Sequence, residues 1–146
     1  MSSTDPPQPL CRVLHVDDDE DVLVIARHAL RRASGIEVRS MTDATDALRL
    51  LETWRPQLIL ADCNMPGMDG RAFLAAVRQA ALAIPVVLVT QTVLPRFEQQ
   101  LLALGAEAVV RKPMELREWG ESIQAVWLAI GRAAAERVNA VHRETA

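Results

Sequence analysis

Four carboxylates and one ammonium stand out in this 146-residue chain as groups able to do chemistry together. Lys112 is the only lysine among 16 basic residues; all the others are arginine. Lysine carries a compact point charge on a flexible stem, whereas arginine is a rigid planar fork. A chain that uses arginine everywhere else needs the compact ammonium at this position. Asp17-Asp18-Asp19 close one short apolar run, Asp62 closes another, and Lys112-Pro113 closes a third. If these runs are parallel strands, the groups meet at one sheet edge. Clustered acids repel: two unit charges about 4 Å apart interact by about 4 kcal/mol at an effective dielectric of 20. Such a cluster calls for a cation, and one ammonium facing several carboxylates points to a site for a metal ion and a phosphoryl group. Mg²⁺ suits it, because it prefers oxygen ligands and is held by one or two carboxylates plus phosphate.

The elements that must position these residues follow from periodicity. Short apolar runs at Arg12–Val16, Ile36–Ser40, Gln57–Ala61, Pro85–Val89 and Ala108–Val110 read as strands. Helical spacing fills Glu20–Arg32, Ala44–Trp54, Asp69 or Gly70 to Gln79, and Pro95–Leu104, and Glu115 onward is helical with room to extend to the end. Apolar strands separated by helices of ten or more residues predict a parallel sheet covered on both faces. Five such units make a doubly wound α/β fold. Right-handed crossovers place every strand's C-terminal end on one edge, where ligands bind in sheets of this kind. Asp17 to Asp19, Asp62, Thr90 and Lys112 all fall there, whereas the second strand ends in Ser40-Met41 and brings no reactive group.

Length and composition set the frame. The chain is one domain by size, and its net charge of −3 gives no broad basic face for nucleic acid. Cys11 and Cys63 are too few for a disulfide framework and read as reduced thiols of a cytoplasmic protein. No apolar stretch approaches the ~20 residues of a transmembrane helix, so no membrane partner is expected. Residues 1–10 are polar and proline-rich and read as a disordered leader. Residues 11–130 form the domain, and 131–146 a helical extension or tail.

The motifs together resemble a response-regulator receiver domain, the phosphoacceptor module of two-component signalling, from about Arg12 to Trp127. They are Val13-Leu14-His15-Val16-Asp17-Asp18-Asp19-Glu20, Leu58 to Gly70 around Asp62, Val86-Val87-Leu88-Val89-Thr90, and Lys112-Pro113. The resemblance implies a flavodoxin-like fold with five helices and strand order 2-1-3-4-5. It also implies that Asp62 accepts a phosphoryl group from a partner histidine kinase or phosphotransfer protein. Asp17 and Asp18, with the backbone carbonyl of Asn64, would hold Mg²⁺; Lys112 and Thr90 would contact the phosphoryl oxygens. A cis bond at Lys112–Pro113 comes from the same resemblance. The chain would then be a signalling protein and not an enzyme, passing its state to a downstream protein by a conformational change.

Two positions depart from the family. Val109 stands where many receivers carry Tyr or Phe, so an aromatic gate is missing. Gln91, where a small residue is usual, places a bulkier amide beside the acceptor. Asp19 and Asp69 are expected to cap helices, and His15 to be a neutral, hydrogen-bonded core histidine. Trp119 and Trp127 are expected in the core, with an interface stripe as the alternative. Beyond Gly131 a modest apolar stripe allows a homodimer contact. Three other readings stand beside the main one: the receiver part of a longer multidomain regulator, a receiver-fold binding module that is never phosphorylated, and a small flavin carrier. The last needs phosphate-cradling loops where this chain has carboxylates.

Overall fold

The computed structural model describes residues 11–32, 35–80, 82–91 and 94–131. The expected leader and the apolar stripe beyond Gly131 lie outside these residues. Five strands, β1 (Cys11–Val16), β2 (Ile36–Met41), β3 (Leu58–Asp62), β4 (Val86–Thr90) and β5 (Ala108–Arg111), pair in parallel. Their order is β2-β1-β3-β4-β5, as the family resemblance implied. Helices α1 (Glu20–Arg31), α2 (Ala44–Leu50), α3 (Gly70–Gln79), α4 (Pro95–Ala103) and α5 (Trp119–Val126) connect and follow them.

Alternation along the strands builds two cores. Leu14 and Val16 of β1 pack with Ala44 and Ala47 of α2, Phe73, Leu74 and Val77 of α3, and Leu101 of α4. Cys11 and Val13 face the other way, onto Val22, Ala26 and Leu30 of α1 and Trp119 and Ile123 of α5. Every residue of β3 and β4 is buried, as expected for central strands covered on both sides. Each fully buried Leu, Ile or Phe contributes about 1.5–3 kcal/mol. The acids expected at helix starts are there: Asp19 Oδ1 accepts from Asp21 N at 2.9 Å, and Asp69 Oδ1 from Ala72 N at 2.9 Å.

Some expectations are corrected. Helix α2 stops at Leu50 and not at Trp54. Tight bonds from Glu52 N to Arg49 O and Thr53 N to Leu50 O close its end, and Pro56 bars a helical residue before it. The last helix is not uniform. A 3-10 turn at Leu116–Glu118 precedes α5, and a π-helical turn covers Trp127–Gly131. There a Cβ on Gly131 would run into the Trp127 ring, so the wide turn brings backbone against indole. No cis peptide occurs among the described residues, so Lys112–Pro113 is trans, the form X–Pro bonds favour.

The chain enters at Cys11, whose N–H donates to Gly35 O at 3.1 Å, just before β2 begins. Helix α5 descends beside α1, so the described chain also leaves at that edge, opposite the strand C-terminal ends. Arg78 ties this edge together: Nη1 donates to Leu82 O at 2.9 Å and Ile84 O at 2.8 Å, and Nη2 to Gly105 O at 2.9 Å.

Candidate functional site

Strands β1, β3, β4 and β5 deliver one polar group each to the same edge. Asp17 follows β1 and is anchored by its N–H to Met41 O at 3.1 Å. Its Oδ1 accepts from Asp19 N at 2.9 Å, which leaves Oδ2 for Lys112 Nζ at 2.8 Å. Asp62 ends β3; its Oδ1 accepts from Asn64 N at 3.1 Å and its Oδ2 meets the same Nζ at 3.3 Å. The lone lysine therefore bridges two carboxylates that arrive from sequence positions 95 and 50 residues away. Asp17 is 1% exposed, Asp62 5% and Lys112 8%. Thr90 ends β4, buried, and its carbonyl accepts from Lys112 N at 2.7 Å.

Electrostatics follow from this burial. Desolvation pushes the Asp62 carboxyl above its usual range; the Asn64 N–H opposes it, Asp17 adds to it, and Lys112 opposes it. For Lys112, burial favours the neutral amine, but hydrogen bonding and attraction from Asp17, then Asp62, prevail and raise it. The ammonium is thus held charged. Burial lifts the Cys63 thiol to about 11, with Asp62 next in effect, so Cys63 stays a thiol.

Asp17, Asp18 and Asp62 each offer a carboxylate oxygen, all within 4.8 Å of one another. Asp18 is exposed while its two neighbours are buried. An all-oxygen donor set with one side open to water fits a hard divalent cation that keeps part of its hydration shell. Asn64 sits two residues past Asp62, exposed, with its N–H already committed to the Asp62 carboxylate.

Two residues matter here in ways the sequence reading missed. At Gly70 a Cβ would lie 2.7 Å from Cys63 Cα and 2.8 Å from Asp62 O. Only glycine lets α3 press onto the loop behind Asp62, and Gly70 N donates to Cys63 O at 3.1 Å. A glycine at the first position of a helix, right after its cap, was the available signal. His15 is buried as expected and held neutral, its pKa lowered to about 3 by desolvation and then by the charge of Lys112. Its Nδ1 has no hydrogen-bond partner, contrary to expectation, and its ring stands 6.3 Å from that of Trp119. Val109 is half-buried on β5, and Gln91 is exposed beside Thr90.

Comparison with known proteins agrees with this geometry. Residues 13–124 match the family described as Response regulator receiver domain. The chain is 33% identical over 116 residues to the alkaline phosphatase synthesis transcriptional regulatory protein PhoP of Bacillus subtilis, covering 79% of this chain and 48% of PhoP. It is 31% identical over 127 residues to sensor histidine kinase RcsC of Escherichia coli, covering 80% of this chain and 13% of RcsC. It therefore spans half or less of the length of these relatives. The Mn²⁺-bound form of response regulator Rcp1 superposes with a TM-score of 0.73 at 25% identity, over 80% of this chain and 91% of that one. Five parallel strands in the order 2-1-3-4-5, acids and a lysine converging at their C-terminal edge, and these matches lead to one assignment: the chain belongs to the response regulator receiver domain family.

Proposed function

We propose that this receiver is a phosphoacceptor, modified on Asp62 by a phosphohistidine of a kinase or phosphotransfer protein. The observation that carries the reading is the Lys112 ammonium set between the buried Asp17 and Asp62 carboxylates. An Asp62 oxygen attacks phosphorus, the P–N bond breaks with its electron pair going to the ring nitrogen, and the donor imidazole, protonated on its other nitrogen, leaves as a neutral ring. Lys112 stays within reach of the acceptor and offsets charge on the transferring oxygens. Thr90, at the end of the adjacent strand, supplies a hydroxyl to the same group. Asp17, Asp18 and the Asn64 carbonyl would hold Mg²⁺, which when bound neutralises charge between acceptor and donor.

The modified Asp62 exchanges its single carboxylate charge for a phosphoryl group carrying about −1.5 to −2, and gains new acceptor oxygens. That is a local charge event able to bias a loop or helix position. The chemistry stays on the protein's own carboxylate, so the chain signals through protein contacts and is not an enzyme acting on a separate substrate. We place it in the cytoplasm; no helix among the described residues is long and apolar enough to cross a membrane. The test is intact mass after incubation with a small-molecule phosphodonor, with Mg²⁺ or a chelator. The expected result is one added phosphoryl group, dependent on Mg²⁺ and lost in Asp62→Asn. No addition to the folded wild type would instead make it a binding module that is not regulated this way.

A further inference from the structure

Strand β2 stands at one end of the sheet order, so one of its sides faces β1 and the other meets no strand among the described residues. The ladder to β1 decides which backbone groups are left over. Cys11 N–H donates to Gly35 O at 3.1 Å, and Asp17 N–H to Met41 O at 3.1 Å. Bonds to one neighbour recur at alternate residues of a parallel strand. With Cys11 beside Ile36 and Val16 beside Met41, Glu37 and Arg39 also turn their backbone groups to β1. Ile36, Val38 and Ser40 turn theirs outward.

Such an edge is a template for another strand, and proteins commonly blunt it with Pro, Lys or a bulge. Ile36–Met41 contains neither residue and pairs with β1 without a break. It carries one charge of each sign instead. Glu37 and Arg39 are two residues apart and so share one face of the sheet. Arg39 is exposed, with its guanidinium 4.8 Å from the Trp54 ring, a contact that steadies it. Glu37 sits 3.5 Å from Arg12 Nε and 3.7 Å from Arg39 Nε. These are loose contacts between partly exposed side chains, of the kind that change partner easily.

We propose that β2 pairs antiparallel with β2 of a second copy of this chain, centred on Val38. In that register Val38 meets Val38 and Ile36 meets Ser40, so the outward N–H and C=O groups of the two strands bond to each other. Glu37 then stands directly opposite Arg39 of the second copy, and Arg39 opposite its Glu37. These are the non-hydrogen-bonded positions, where facing side chains come closest and opposite charges attract. Sliding the pair by two residues either way sets Glu37 against Glu37 or Arg39 against Arg39. Parallel pairing in register does both. The charge pattern therefore selects partner, direction and register at once: the strand is complementary to its own reverse. The operation is two-fold and closes at two copies, giving one continuous sheet whose two acid clusters point in opposite directions. A single short edge is smaller than a standard interface, so association is weak. It does not depend on Asp62 being phosphorylated.

The test is sedimentation of the full chain from about 10 µM to about 1 mM, with amide exchange followed by NMR at both ends of that range. A monomer–dimer equilibrium is expected. The Ile36, Val38 and Ser40 amides should exchange several-fold more slowly at the high concentration, while those of Glu37 and Arg39, already bonded to β1, change little. Glu37→Arg and Arg39→Glu each set like charges across the pair and should weaken the dimer about tenfold or more. Mixed in equal amounts, the two variants place opposite charges at every crossing and should dimerise with each other as wild type does, which also shows that both fold. A wild type monomeric at about 1 mM, assemblies larger than two, a dimer untouched by either variant, or a mixture that does not recover would each overturn the proposal. So would slow exchange of the Ile36, Val38 and Ser40 amides in a monomeric sample, because another segment of this chain would then hold the edge.

Discussion

Replacing Lys112 with Met removes the ammonium and keeps most of the stem. Nζ lies 2.8 Å from Asp17 and 3.3 Å from Asp62. At an effective dielectric of 20 those attractions are about 6 and 5 kcal/mol. They are gross values, because burying the charges costs several kcal/mol per ion. The state left behind decides the outcome: two nearly buried carboxylates with no cation between them. Removing one partner of a buried pair costs about 3–5 kcal/mol, a large share of the 5–15 kcal/mol that holds a typical domain. The pH dependence has a definite sign. Asp62 already has a raised folded pKa, and losing Lys112 raises it further. An acid with a folded pKa above its unfolded value contributes stability below the unfolded value and loses it as pH rises through the folded one. The variant should therefore be worst at pH 8 and recover toward pH 5 as the cluster takes up a proton. Urea unfolding of wild type and Lys112→Met, in chelator at pH 5, 6.5 and 8, measures this. Added Mg²⁺ should restore part of the loss. A deficit under about 1 kcal/mol at pH 8, or one equal at pH 5 and pH 8, would refute the reasoning.

His15 makes the opposite prediction on the acid side. Its folded pKa of about 3 lies below the ordinary 6.5, so the unfolded chain binds the extra proton and stability falls as pH drops from 6.5 toward 3. At 1.36 kcal/mol per pH unit this reaches roughly 5 kcal/mol. Stability measured from pH 7 to 4 should flatten in His15→Phe; an unchanged slope would place the effect elsewhere. Asp18→Asn should weaken Mg²⁺ binding about tenfold or more by titration calorimetry with little change in unfolding midpoint, since Asp18 is exposed. A large stability loss would mean Asp18 is structural. Gln91→Ala should change the lifetime of the phosphorylated form, followed by mass over time. Identical decay would exclude Gln91 from the acceptor's surroundings.

Much of this site was legible because its signals are local and chemical. Apolar runs such as Val86–Val89, each ending in a polar residue, announce buried parallel strands and the edge where they end. The isolated lysine and the acids at two strand ends name the cluster without coordinates. Asp19 and Asp69 announce helix starts. What stayed hidden depends on contacts between distant elements. Gly70 looks like a poor helix former until Cys63 and Asp62 are seen against it. The guanidinium of Arg39, 4.8 Å from the Trp54 ring, joins two elements that no periodicity links. The π turn after α5 goes with the Trp127 ring pressed against Gly131, which helical spacing alone does not encode. His15 reads as an ordinary core residue, and only the packed structure shows its Nδ1 without a partner.

The placement of Cys11 and Gly131 has a practical side. Both ends of the described chain stand at the edge opposite Asp62, with the height of the sheet between them and the carboxylates. Six residues of β1 amount to about 20 Å at 3.3 Å per residue. A fluorescent reporter or affinity handle joined directly at Cys11 or Gly131 would start on the far side of the sheet from the acceptor. The same layout makes the domain a cassette that can be spliced before or after other modules without rebuilding its reactive end.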